Sequence, residues 1–128
     1  MGIHPGRAIL DALEALLLRD NDDAFVIIED WPTGKFVQFG RGPSLVLDLP
    51  LASLEPDEIE RAQTFFEARG YGEARHLIAF DSAAQIPRPH STFELDFGTN
   101  ALEAAKTAVD VFDQVFLLQR VSLALTEN

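Results

Sequence analysis

Gly34–Pro50 reads GKFVQFGRGPSLVLDLP, two short apolar runs joined by GRGP at 40–43. Successive side chains on a strand point to opposite faces. In the first run Val37 and Phe39 therefore point one way, and Phe36 and Gln38 the other. In the second, Leu45, Leu47 and Leu49 share a face, with Val46 and Asp48 opposite. A buried carboxylate needs hydrogen bonds or a cation, so the Asp48 face is expected to be at least partly wet. The aromatic strand has no catalytic group beside it, and the question is what such a strand is for.

Working outward, AFVIIED at 24–30 is bulky and rich in β-branched residues, which suits a strand covered in part on both faces. DWPTGK at 30–35 breaks the ladder. Pro32 has no backbone donor, and Gly34 tolerates a left-handed backbone, so a hairpin leads into KFVQFG. Three antiparallel strands in a meander result. Upstream, Ile9, Leu13, Leu16 and Leu17 recur at helical spacing after Pro5, with Leu10 widening the stripe. Arg7 and Asp11 lie one turn apart and can meet. DNDD at 20–23 ends this helix by competing for backbone hydrogen bonds.

Downstream, LEPDEIERAQTFFEARG at 54–70 forms a second helix. Pro56 suits its first turn, and Asp57 and Glu58 suit the positive end of its dipole. Ile59, Ala62, Phe65 and Phe66 form its apolar side, with Gly70 as terminal cap. RHLIAFD at 75–81 is a fourth strand. Pro87 and Pro89 keep the following connection out of a ladder. STFELDFG at 91–98 alternates cleanly: Phe93, Leu95 and Phe97 face together, Glu94 and Asp96 away. Asn100 caps a third helix, with Glu103 three residues on. Leu102, Ala105, Val109, Phe112 and Phe116 carry its repeat, and Ala108 permits close approach. Leu118, Val121 and Leu125 either extend this helix or form an interface tail. The order α-β-β-β-α-β-β-α predicts one α+β domain over 1–128. Its antiparallel sheet of about five strands is flanked by three helices on one side.

The chain has 128 residues, with 21 acidic against 10 basic and a net charge of −11. That balance opposes binding to nucleic acid or to an anionic membrane, and attracts a basic partner. The absence of cysteine excludes disulfides, thiol nucleophiles and thiolate-bound zinc. The N-terminal apolar run is interrupted by Asp11 and Glu14, unlike a signal peptide, and no run reaches the roughly 20 residues of a membrane span. A cytoplasmic protein is expected.

No chemistry-bearing motif stands out. His4, His76 and His90 have no metal-ligand spacing. DNDD lacks the twelve-residue calcium pattern. GRGP lacks the G-K-[ST] continuation of a phosphate loop. Glu29 and Asp30 point apart as strand neighbours, and Glu94 and Asp96 more naturally solvate a sheet face than act as a catalytic pair. No serine sits in a nucleophile elbow. The expectation is therefore no enzyme, no cofactor and no metal.

Positive candidates are two surfaces. Phe36 and Gln38 offer a ring and an amide on one face. With Trp31 in the adjoining turn and Phe39 in the same strand, they make the candidate peptide-binding group, and an open sheet edge could add a partner strand. The competing reading packs Phe36 beneath the helices. The second surface is on the third helix, where Val111, Val115 and Leu118 widen the apolar patch toward a homodimer interface.

The segments FVIIED, GKFVQFGRG and SLVLDLP resemble the three-stranded meander of the type III secretion chaperone-like fold and its YbjN-like relatives. LEPDEIERAQTFFEARGYGE resembles the helix-and-glycine segment that follows, and ALEAAKTAVDVFDQVF the closing helix. The resemblance spans nearly the whole chain. It implies an antiparallel sheet flanked by helices, frequent homodimers and non-enzymatic binding of peptide segments, and draws attention to Trp31, Phe36, Gln38 and Phe39. The linker with Pro87 and Pro89 departs from the pattern.

Overall fold

The computed structural model describes residues 5–19, 24–41, 44–69, 75–76 and 92–127. In chain order they form α1 (Pro5–Leu17), β1 (Phe25–Asp30), β2 (Lys35–Arg41), β3 (Leu45–Pro50), a 3-10 turn (Leu51–Ser53), α2 (Pro56–Ala68), β4 (Arg75–His76), β5 (Thr92–Gly98), α3 (Ala101–Gln114) and β6 (Leu123–Glu127). The strands make one sheet in the order β4-β5-β3-β2-β1-β6, with every pairing antiparallel. The expected α+β fold, with three helices in the expected positions, is present. The C-terminus adds a sixth strand.

The pleat decides which side of the sheet is covered. Val26 and Ile28, Val37 and Phe39, Leu45, Leu47 and Leu49, and Phe93 and Leu95 are buried, while their neighbours along each strand are only half-buried or exposed. All three helices lie on the buried side. Ile9, Ala12, Leu13 and Leu16 of α1 join the same core as Ala104, Ala108, Val111 and Phe112 of α3. Phe66 of α2 meets Phe93 at 5.3 Å between ring centroids. Fully burying one such side chain is worth roughly 1.5–3 kcal/mol.

Alanines 101, 104, 105 and 108 let α3 pack closely, and they move its core stripe off the expected one. Leu102 is 53% exposed, whereas Val111 and Val115 are wholly buried. The helix then stops at an unusual cap. Leu117 takes a left-handed backbone at φ 56°, and the Leu118 amide donates to the Phe112 carbonyl at 3.0 Å. Glycine is the usual residue there, because a side chain makes that conformation costly. The chain beyond leaves the helix direction and runs to β6, where Leu123, Ala124 and Leu125 pair with Asp30, Glu29 and Ile28. The expected helical extension or interface tail is thus a strand. Val121, Leu123 and Leu125 also alternate with Ser122, Ala124 and Thr126, and that period of two is the one the backbone follows.

Two buried carboxylates hold the periphery. Asp30 accepts from the Thr33 hydroxyl at 2.7 Å and from the Ser122 amide at 2.8 Å, while the Trp31 amide donates to the Ser122 carbonyl at 3.1 Å. One side chain thereby ties the β1–β2 turn to the approach of β6. Glu58 accepts from the Glu55 amide at 2.7 Å at the start of α2 and pairs with the Lys35 ammonium at 2.9 Å. Lys35 also lies 5.9 Å from the Phe116 ring centre. A buried charge that loses its partner is expensive. Lys35→Met keeps the aliphatic stem but strands Glu58, and is expected to cost about 2–3 kcal/mol, less than a fully enclosed pair because Lys35 is partly exposed. Urea unfolding of the variant checks this, with Glu58→Gln in the Lys35→Met background recovering part of the loss.

Candidate binding face

The side of the sheet away from the helices carries the remaining strand residues, and pairing register fixes their neighbours. One row runs Glu94, Asp48, Gln38, Ile27 and Thr126 across β5, β3, β2, β1 and β6. The next runs Asp96, Val46, Gly40 and Phe25. A third sets Phe36 opposite Glu29 and Glu29 opposite Ala124. Phe25, Ile27, Phe36 and Val46 are all half-buried. They form an apolar centre with carboxylates around it. Gly40 lies between Phe25 and Val46, and a side chain built there would meet nothing within 4 Å. The row thus dips at Gly40, leaving room for an incoming side chain.

The polar groups on this face are held in place. The Gln38 amide donates to Asp48 at 3.0 Å. The Gly98 backbone amide donates to Asp96 at 2.8 Å. That hydrogen bond, followed by one from the Ser44 side chain, holds the Asp96 carboxyl below its ordinary 3.8 against the opposing effect of burial. Asp48 and Glu94 sit directly across from each other, and like charges in that position cost stability. Arg75 of β4 lies across from Glu94 in register. The face is therefore acidic at the β3–β5 side and apolar toward β1 and β2.

The four residues expected to bind peptide divide between surfaces. Phe36 and Gln38 share the face that no described helix covers, as their alternation requires. They do not pack beneath the helices. Trp31 is 68% exposed in the β1–β2 turn, at the end of the same hairpin. Phe39 must be removed from the group. It is wholly buried, with Phe97 at 6.2 Å between centroids, because it shares parity with Val37 and faces the helices. The proposed interface pair Val111 and Val115 is also withdrawn from the surface by burial, and Leu118 is half-buried against the core. The residues missed by sequence reading are Phe25, Ile27, Val46 and Gly40. Their signal was present in the alternation, since each stands beside a core residue, but it needed the cross-strand register to become a surface.

Elsewhere, Asp57 at the start of α2 is held below 3.8 chiefly by its hydrogen bond to Arg61, whose Nε also donates to the Val115 carbonyl at 2.8 Å. This is a helix-end device. Among the described residues no group of His, Asp and Glu is arranged to hold a metal ion, and no helix is long and apolar enough to cross a membrane. Residues His4 and His90, the Gly70 cap, the 77–81 part of the fourth strand and the Pro87–Pro89 connection lie outside the described residues, as does the side chain of His76. Compared with family models, with curated proteins and with solved structures, the chain matches none.

The two faces make opposite predictions for two neighbouring phenylalanines. Phe39→Ala should cost about 3–5 kcal/mol, as large core truncations do, while Phe36→Ala should cost no more than about 1 kcal/mol. Denaturant midpoints of the two variants measure the contrast. Asp96 yields a pH test. Its folded pKa is lowered, so its contribution is present above 3.8 and is lost as pH falls through the lowered value. Asp96→Asn should therefore destabilise the protein at roughly pH 6, and its deficit against the parent should shrink steadily as pH falls below 3.8, read from urea midpoints across that range.

Proposed function

We propose that this chain is a non-enzymatic binding protein whose open sheet face takes up an apolar, basic segment of a peptide or protein partner. The observation that carries the reading is the apolar centre of Phe25, Ile27, Phe36 and Val46 on the side of the sheet that the helices do not cover. Grouped apolar residues rimmed by polar ones mark interaction surfaces more often than scattered ones do. The rim supplies the sign. Glu29, Asp48, Glu94 and Asp96 border the centre, and the whole chain carries −11. Lysine and arginine flanking an apolar side chain would meet carboxylate and ring together, with the dip at Gly40 as the seat for that side chain.

The outer edge of β6 supports a second element of the same reading. Among the described residues Leu123–Glu127 pairs with β1 on one side only, and Leu125, Thr126 and Glu127 are exposed. An unpaired edge can accept main-chain hydrogen bonds from an extended segment. The resemblance to secretion chaperones and their YbjN-like relatives favours peptide handling, and the cysteine-free composition suits a cytoplasmic setting. With Val111 and Val115 in the core, the reading does not call on self-association through α3.

An immobilised peptide array tests this. Segments with an aromatic or aliphatic residue flanked by Lys and Arg should be retained, and matched segments flanked by Asp and Glu should not. Phe36→Ala with Ile27→Ala should weaken retention about tenfold with an unchanged circular-dichroism spectrum, and raised salt should weaken it further. Equal retention of basic and acidic arrays, or retention indifferent to the double substitution, would exclude the open face as the site.

A further inference from the structure

On the far side of the core, α1 and α3 leave a groove of about 380 Å³ lined by Gly6, Arg7, Leu10, Leu102, Ala105, Lys106, Val109 and Asp110. We infer that this groove binds a small anionic amphiphile, an aliphatic carboxylate being the simplest example. Its size falls within the range of ligand sites, roughly 300–1,000 Å³. Gly6 and Ala105 create the space, because neither has a side chain long enough to fill it. Leu10 and Val109 are half-buried, and Leu102 is 53% exposed in a position where the helical repeat would place a core residue. The floor is thus apolar and open to water.

The charges at the mouth select the head group. Asp110 is engaged by Arg69 at 2.8 Å. Arg7 meets Asp11 at 3.3 Å on the outer side of α1, with both side chains largely exposed. Lys106 has no hydrogen bond or ion pair among the described residues. An acidic chain therefore presents an unmatched cation and a second, loosely paired one over an apolar floor. An apolar body with an anionic end satisfies both, whereas a neutral ligand leaves Lys106 unused and a cation is repelled by it. This inference is independent of the open sheet face, which lies across the core and has the opposite electrostatic character.

The test uses the full chain, isotopically labelled, titrated with decanoate below its micelle concentration. Decanol and decyltrimethylammonium serve as neutral and cationic probes. Decanoate should give saturable chemical-shift changes centred on Leu10, Leu102, Ala105 and Val109, bind more tightly than decanol, and leave decyltrimethylammonium behind. Lys106→Gln should weaken decanoate fivefold to tenfold without changing decanol, as loss of one charge-assisted contact does. Leu102→Glu should abolish decanoate binding while the protein stays folded, since the position is exposed. The inference is overturned by non-saturable or dispersed shifts, by equal affinity for the three probes, or by indifference to Lys106→Gln. A change of mass in solution on Leu102→Glu, without any decanoate response in the parent, would also overturn it and assign the groove to a second copy of the chain.

Discussion

The pleat of the central strands and the one-sided placement of the helices govern the rest of this molecule. Because successive side chains alternate, packing Val26, Ile28, Val37, Phe39, Leu45, Leu47 and Leu49 against α1 and α3 presents Phe25, Ile27, Phe36, Gln38 and Val46 on the other side. The face away from the helices is therefore not an addition to the core but its complement. A slip of one residue in any central strand would exchange the two sets and put Asp48 or Gln38 under a helix. The core is what holds the face in register.

That register needs protection where helices do not reach, and buried polar groups provide it. Asp30 ends β1 with an oxygen on Thr33 and another on the amide of Ser122, which joins a sequence-local turn to a chain segment arriving from the far end of the protein. Glu58 does the same between α2 and the start of β2. Neither pair is a strong argument for net stability, because taking charge out of water offsets the attraction. Their value lies in direction. Apolar contacts tolerate sliding, and a carboxylate with two fixed donors does not. The β-bulge between Leu45 and Val46 then absorbs an extra residue on β5 and keeps Phe97 beside Phe39.

Much of this was legible in local periodicity. The strands at 25–30, 35–41 and 45–50, α1 and α2, and the Asn100 cap follow from spacing and capping chemistry, and the Asn100 side chain does accept the Glu103 amide at 3.1 Å. Three features were not. The stripe of α3 is displaced because small alanines, weak as hydrophobic signals, bury more completely than the larger Leu102. The C-terminal strand was obscured because Leu118, Val121 and Leu125 satisfy a helical spacing as well as residues 121, 123 and 125 satisfy a strand, and only the left-handed Leu117 breaks the tie. The open face itself required strand partners. Phe25, Gly40 and Val46 are separated in sequence and become neighbours through β1–β2–β3 pairing.

The two candidate surfaces differ in the elements that build them, and this limits how they can communicate. The sheet face is set by backbone pairing and is insensitive to small shifts of a helix, whereas the α1–α3 groove depends on the spacing of two helices. A ligand wedged between those helices would press on Ala105, which belongs to the same buried layer as Phe39 and Leu47. Such a layer transmits displacement only if it has a second arrangement to adopt. Side chains that are wholly buried and interlocked, as Phe39, Leu47 and Phe112 are, resist a continuous adjustment. If both surfaces take ligands, the expectation from packing is two sites that would stabilise the same fold by mass action yet leave each other's affinity nearly unchanged.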